Sequence, residues 1–160
     1  MKSSLYPSLA ERLKTQHHAI ENIITGVDNS RLLIRSLPGK WNIHDNIAHL
    51  AKYQPVFLDR IRKILTNDEP EFEAYKAEND DEFEIYCAFT TYELLKKISI
   101  DREIIYQLIT HLPPDKLDRT GIHPKYGNLT VLEWTEFFLL HEAHHLYAIF
   151  QLVYSGKVKV

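Results

Sequence analysis

Leu129-Thr130-Val131-Leu132-Glu133-Trp134-Thr135-Glu136-Phe137-Phe138-Leu139-Leu140-His141-Glu142-Ala143-His144-His145 carries both a helix start and an unusual buried face. Thr130 with Glu133 three residues on forms a capping box, and Leu129 and Trp134 are placed as a hydrophobic staple, so a helix begins here. Beyond it, Trp134, Phe138, His141, His145, Ala148 and Leu152 recur every three or four residues and make one face. His141 and His145 thus stand one turn apart among apolar neighbours, where an unpartnered imidazole is costly. A shared divalent ion would satisfy both rings; the alternative is a pair of core histidines bonded to carboxylates. His144 can reach an ion together with His141 by its i,i+3 spacing, but it lies off the face that His141 and His145 share.

Three further segments are helical by the same criterion. Leu9, Leu13, Gln16, Ile20, Ile23 and Val27 form a seam, with Pro7 suited to a first turn and Gly26 weakening the end. The second segment opens at Asn42, an N-cap with Asp45 three residues on, and runs through Ile43, Ile47, Leu50, Phe57, Ile61 and Ile64. Pro55 inside it has no N–H to offer the carbonyl of Ala51, which predicts a kink and not a stop. In the third, Leu94, Ile98, Ile105, Leu108 and Leu112 share a face that also takes in Asp101, and Pro113-Pro114 closes it.

Two connections are long. Residues 66–85 hold nine acids against Lys76 alone, with Phe72, Tyr75 and Phe83 among them. This reads as a solvated crossover pinned by its aromatics, with an acidic lip over a site as the alternative. Pro113 to Leu129, with Gly121, Pro124 and Gly127, has room for a short hairpin.

The 160 residues, 44% hydrophobic and 26% charged, have the composition of one ordinary domain, expected to span 1–160, and the four helical segments make it all-α. A net charge of -3 supplies no basic stripe, so the expected partner is a small molecule, not nucleic acid or an anionic membrane. Cys87 is the single cysteine, which excludes an intrachain disulfide and fits a reducing compartment. Met1 to Ser8 lacks the apolar run of a signal peptide, and no segment approaches the ~20 apolar residues of a membrane span. The expectation is a cytoplasmic protein, and association as a homodimer is compatible with a small bundle.

His141-Glu142-Ala143-His144-His145 also matches the His-Glu-x-x-His pattern of zinc peptidases, in which Glu142 would be the general base. That pattern needs a third ligand after the motif, and Leu146 to Val160 contains no His, Asp, Glu or Cys. A third ligand must therefore come from upstream. His49, at the edge of the second helix's apolar arc, is the best candidate, although Ile47 and Leu50 lie nearer its centre. The remaining histidines, His17, His18, His44, His111 and His123, read as ordinary polar residues satisfied by hydrogen bonds.

The run Pro38-Gly39-Lys40-Trp41-Asn42-Ile43-His44-Asp45-Asn46-Ile47-Ala48-His49-Leu50-Ala51, taken with the late His141 and His145, resembles the DinB/YfiT superfamily of metal-binding four-helix bundles. Its members typically show a Pro-Gly-Lys-Trp-Ser-like entry, a His-Leu pair one to two turns later, and two histidines four apart in the last helix. The resemblance implies a four-helix bundle with long crossover connections and a divalent ion held by His49, His141 and His145. Zinc or nickel suits three imidazoles best, and iron or manganese also fits. Characterised relatives include thiol S-transferases using low-molecular-weight thiols such as bacillithiol or mycothiol, and others are described as metal-dependent hydrolases. A non-catalytic metal-binding or stress-response module with a structural metal is the alternative. Asp101 and Glu142 are candidates to orient an imidazole through its second nitrogen.

Overall fold

The computed structural model describes residues 4–36 and 38–155. Helix α1 (Pro7–Thr15) has Pro7 at its first position and passes through a 3-10 turn at Gln16–His18 into α2 (Ala19–Ile24). A single turn, α3 (Asn29–Leu32), precedes α4 (Ile43–Thr66), which runs unbroken through Pro55. Helix α5 (Asp81–Ala88) lies inside the acidic crossover, and α6 (Thr91–Thr110) follows behind a Thr90–Glu93 capping box. The second connection holds α7 (Pro114–Leu117) and the antiparallel hairpin of β1 (Thr120–His123) and β2 (Gly127–Thr130). It ends in α8 (Val131–Tyr154), which starts at the Thr130–Glu133 box.

Helix α4 packs against α6 and α8, α1 against the same two helices, and α2 against α8. The result is a four-helix bundle in which α1 and α2 together form one arm. No helix of the described residues is long and apolar enough to cross a membrane. At Gly121 a Cβ would come within 2.7 Å of Ile64 and 2.8 Å of Phe72, so only glycine lets the hairpin lie this close to α4. The Gly121 carbonyl accepts from Trp134 Nε1 at 3.2 Å, which ties the hairpin to the first turn of α8.

The core divides in two. One cluster gathers Leu9, Leu13, Phe57, Ile61, Ile105, Trp134 and Phe138; the other gathers Ile20, Ile47, Leu50, Leu94, Ile98 and Ile149. On each arm the boundary between them carries polar side chains: Gln16 and His17, Gln54, Arg102, and Glu142. Polar groups at such a level must pair with one another or with a ligand.

The structure alters two sequence expectations here. The first seam is not one helix over residues 7–27: it breaks into the 3-10 turn at Gln16–His18, where the Gln16 amide donates to Leu139 O at 2.9 Å and Glu142 Oε1 at 3.0 Å. In α6 the buried position is Arg102 and not Asp101, because the face runs Leu94, Ile98, Arg102, Ile105, Ile109. Asp101 stays half-buried at the edge of that face and pairs with Lys97 at 3.3 Å.

Candidate metal centre

The capping network at the start of α4 aims one of the imidazoles. Asn42 accepts from Asp45 N at 2.6 Å, and the Asp45 carboxylate returns a bond to Asn42 N at 3.1 Å while pairing with Arg35. One turn on, Asn46 Nδ2 donates to the Asn42 carbonyl at 2.8 Å. A carbonyl only accepts, so this bond orients the Asn46 amide and leaves its Oδ1 facing His145 Nδ1 at 2.8 Å. His145 therefore carries its proton on Nδ1, and the Nε2 lone pair is free.

That lone pair belongs to a cluster. His49 from α4 and His141 and His145 from α8 each offer one nitrogen, and the three nitrogens lie within 4.8 Å of one another. His49 Nε2 and His141 Nε2 are 3.0 Å apart, close enough for both to reach one ion at ~2.0–2.1 Å. The Nδ1 atoms of His49 and His141 are buried without a hydrogen-bond partner. Burial, and then the neighbouring rings, push His49 down to about 2 and His141 to about 3; burial and His144 push His145 to about 4. All three rings are thus neutral near pH 7, as metal ligation requires. Three neutral nitrogen donors converging from two helices fit a divalent ion of the zinc or nickel type.

Aromatic rings surround the cluster. Trp41 lies 4.9 Å from His49 and stacks on His145 at 5.8 Å, Tyr75 stacks on His49 at 5.7 Å, and Tyr53 lies 4.2 Å from His141. The acidic crossover is accordingly pinned to the site by Tyr75, whose hydroxyl donates to Asp80 at 2.9 Å, and its acids Asp80 and Glu82 hold Lys52. His145, Asn46 and Trp41 also line an open cleft of about 700 Å³. A second cavity of about 750 Å³ runs along α4 and the crossover and touches the cluster's surroundings through Tyr75.

Of the supporting residues, neither Asp101 nor Glu142 orients a ligand ring. Glu142 is 1% exposed, bonded to Arg102 and to Gln16, so it is neither a surface residue nor a base beside the triad. His144 is exposed and meets only the edge of His145. The orienting role falls to Asn46, which the sequence reading passed over; its signal was an amide one turn after an asparagine cap, four residues apart. Among the other histidines, His44 bonds Thr91 and the Cys87 carbonyl, and His123 and His111 bond backbone groups. His17 departs from expectation: it is buried with an unpartnered Nδ1 beside Arg102.

A four-helix bundle with a histidine cluster between its second and last long helices defines a class of candidate metalloproteins. The chain belongs to the DinB superfamily, whose family profile matches residues 12–149. Two proteins of Oceanobacillus iheyensis, each named "putative metal-dependent hydrolase", are similar to it. One is 25% identical over 132 residues, 79% of this chain and 73% of that protein; the other is 23% identical over 141 residues, 85% and 78%. In fold, the chain is similar to YfiT of Bacillus subtilis, described as "a probable metal-dependent hydrolase with an unusual four-helix bundle topology". The TM-score is 0.81 at 16% identity, over 99% of this chain and 94% of that one.

Proposed function

We propose that this protein is a metal-dependent hydrolase of small molecules that holds one divalent ion through His49, His141 and His145. The observation that carries the reading is the convergence of three neutral imidazole nitrogens within 4.8 Å, with no fourth His, Cys, Asp or Glu joining them among the described residues. Three protein ligands and an open position are the pattern of a catalytic site, whereas a structural site is closed by four. The names of the Oceanobacillus relatives support the same reading.

Such an ion, when bound, supplies Lewis acidity: it polarises a carbonyl, brings the pKa of a water near ~7, or stabilises a thiolate. The chain's own residues do the rest. Asn46 holds the His145 tautomer, Trp41 and Tyr75 shield the rings from bulk water, and the cleft beside His145 admits the substrate. One observation favours a second reading, transfer of a low-molecular-weight thiol to an electrophile. No carboxylate bonds any of the three rings among the described residues, so hydrolysis has no side-chain base in place, and ionisation of a thiol needs none.

The test is a paired screen of the metal-loaded protein: chromogenic esters and amides in one arm, a monothiol with an electrophilic arene in the other. Turnover in either arm should vanish with a chelator, return with zinc or nickel, and be absent in His49→Ala. Turnover in the ester arm assigns a hydrolase and in the thiol arm a transferase. Activity that survives both the chelator and His49→Ala overturns the reading.

A further inference from the structure

We infer that the cleft beside His145 selects small molecules with an anionic head and an apolar body, and that Lys40 receives the anion. The inference rests on the metal-centre reading only for which end of the molecule reacts. The cleft's volume of about 700 Å³ is that of a small-molecule site. Its wall is made by Trp41, Leu152 and Ala148 on the apolar side and by Gln151 and His144 on the polar side.

Charge distinguishes this cleft. Among the described residues, Lys40 is the one permanently charged side chain in its lining, no carboxylate lines it, and Lys40 makes no ion pair. The larger cavity along α4 is the contrast: Asp59, Glu73, Asp80, Asp81 and Glu82 stand in its wall beside its cations, with Lys52 held by Asp80 and Glu82 and Lys63 by Asp59. An unpaired lysine in an acid-free cleft favours an anion, and the apolar wall favours a hydrocarbon body beneath it.

The local backbone explains the placement. Gly39 turns with φ +73°, a conformation that L side chains rarely adopt, and Lys40 and Trp41 follow immediately. Trp41 covers His49 and His145 while Lys40 stands in the cleft wall beside it. A molecule whose anion meets Lys40 lies across Trp41 with its other end toward His145. The Gly-Lys-Trp run thus sets, in three residues, a turn, a charge and a platform.

The probes are hexane-1-sulfonate, anionic and a poor ligand for divalent ions, and hexan-1-ol, its neutral counterpart. Both are titrated into the isotopically labelled, metal-loaded protein and followed by amide correlation spectra. Perturbations should centre on residues 40–46 and 144–152, with the sulfonate binding about fivefold more tightly than the alcohol. Lys40→Gln should erase that difference, leaving alcohol binding and metal content unchanged. Equal affinities in the wild type, no binding of either probe, an unaltered preference in Lys40→Gln, or perturbations centred on Lys52, Lys63 and Tyr75 would each overturn the inference. Metal stoichiometry on the same samples separates the two readings. Lys40-dependent sulfonate binding without metal fails the metal centre and keeps the cleft; one equivalent of metal with Lys40-independent binding does the reverse.

Discussion

Two polar clusters share the middle of this bundle, one residue apart on α8, and they are completed differently. Around Glu142 the donors and acceptors match, save for the Nδ1 of His17 beside Arg102. Arg102 bonds Glu142, Gln54 Oε1 at 3.1 Å and Leu13 O at 3.3 Å, while Gln16 fills the remaining side of the carboxylate at 3.0 Å. Around His141 they do not: three rings crowd together, two of their nitrogens are orphaned, and only His145 has a fixed partner. A saturated network is finished by the chain itself and holds the helices in register. An unsaturated one, made of good ligands, is what the proposed ion would complete.

The comparison breaks most sharply at Glu142. Glu142→Ala leaves the Arg102 guanidinium buried and unpaired, which should cost about 3–5 kcal/mol of folding free energy, read from denaturant midpoints. The double change Arg102→Met with Glu142→Leu should restore most of that loss, since apolar side chains can replace a buried pair. A cost under about 1 kcal/mol for Glu142→Ala would show that the network is not the register lock described. Histidine replacements in the triad should destabilise the metal-free protein less than Glu142→Ala does.

Asn46 provides the next test. Asn46→Ala removes the acceptor that fixes the His145 tautomer and should weaken metal binding about 10- to 100-fold in a competition assay, with the other two ligands intact. Unchanged affinity would mean that His145 orients itself.

The smallest effect is that of pH on the metal-free protein. His49, His141, His145 and His17 are all held below their ordinary 6.5, so between pH 6.5 and about 4 the unfolded chain takes up protons that the folded one refuses. Their contribution to stability is therefore complete above pH 6.5 and declines as pH falls through that window. The urea midpoint of the metal-free protein should drop from pH 7 to pH 5, and Glu142→Ala should retain that slope because its imidazoles are untouched. A flat profile would mean that the rings are more hydrated than the structure shows.

Much of this was legible in the sequence where spacing is unambiguous. The Thr130–Glu133 and Asn42–Asp45 boxes start α8 and α4 as the patterns predict, and the connection after Pro113 does contain a hairpin. His141 and His145 are fixed on one face by their four-residue separation, and the resemblance to a family supplied His49. The misreadings have one cause: several helical registers fit a given run of apolar residues. Leu94, Ile98 and Ile105 are compatible with a face through Asp101 or one through Arg102, and only tertiary packing chooses the second. A face centred on His141 and His145 likewise gives no sign that Glu142 between them is buried. In the bundle, Phe138, Glu142, His145 and Ile149 are the buried set, and Arg102 compensates the acid. Asn46 escaped notice because its role depends on a partner 99 residues away.

The metal centre proposed here holds one divalent ion through His49, His141 and His145. Elemental analysis of protein purified without chelator, wild type beside His145→Ala, tests it most directly. About one equivalent of a divalent transition metal is expected in the wild type and none in the variant. A metal-free wild type that takes up no zinc or nickel on dialysis, or a variant with the same content as the wild type, would contradict it.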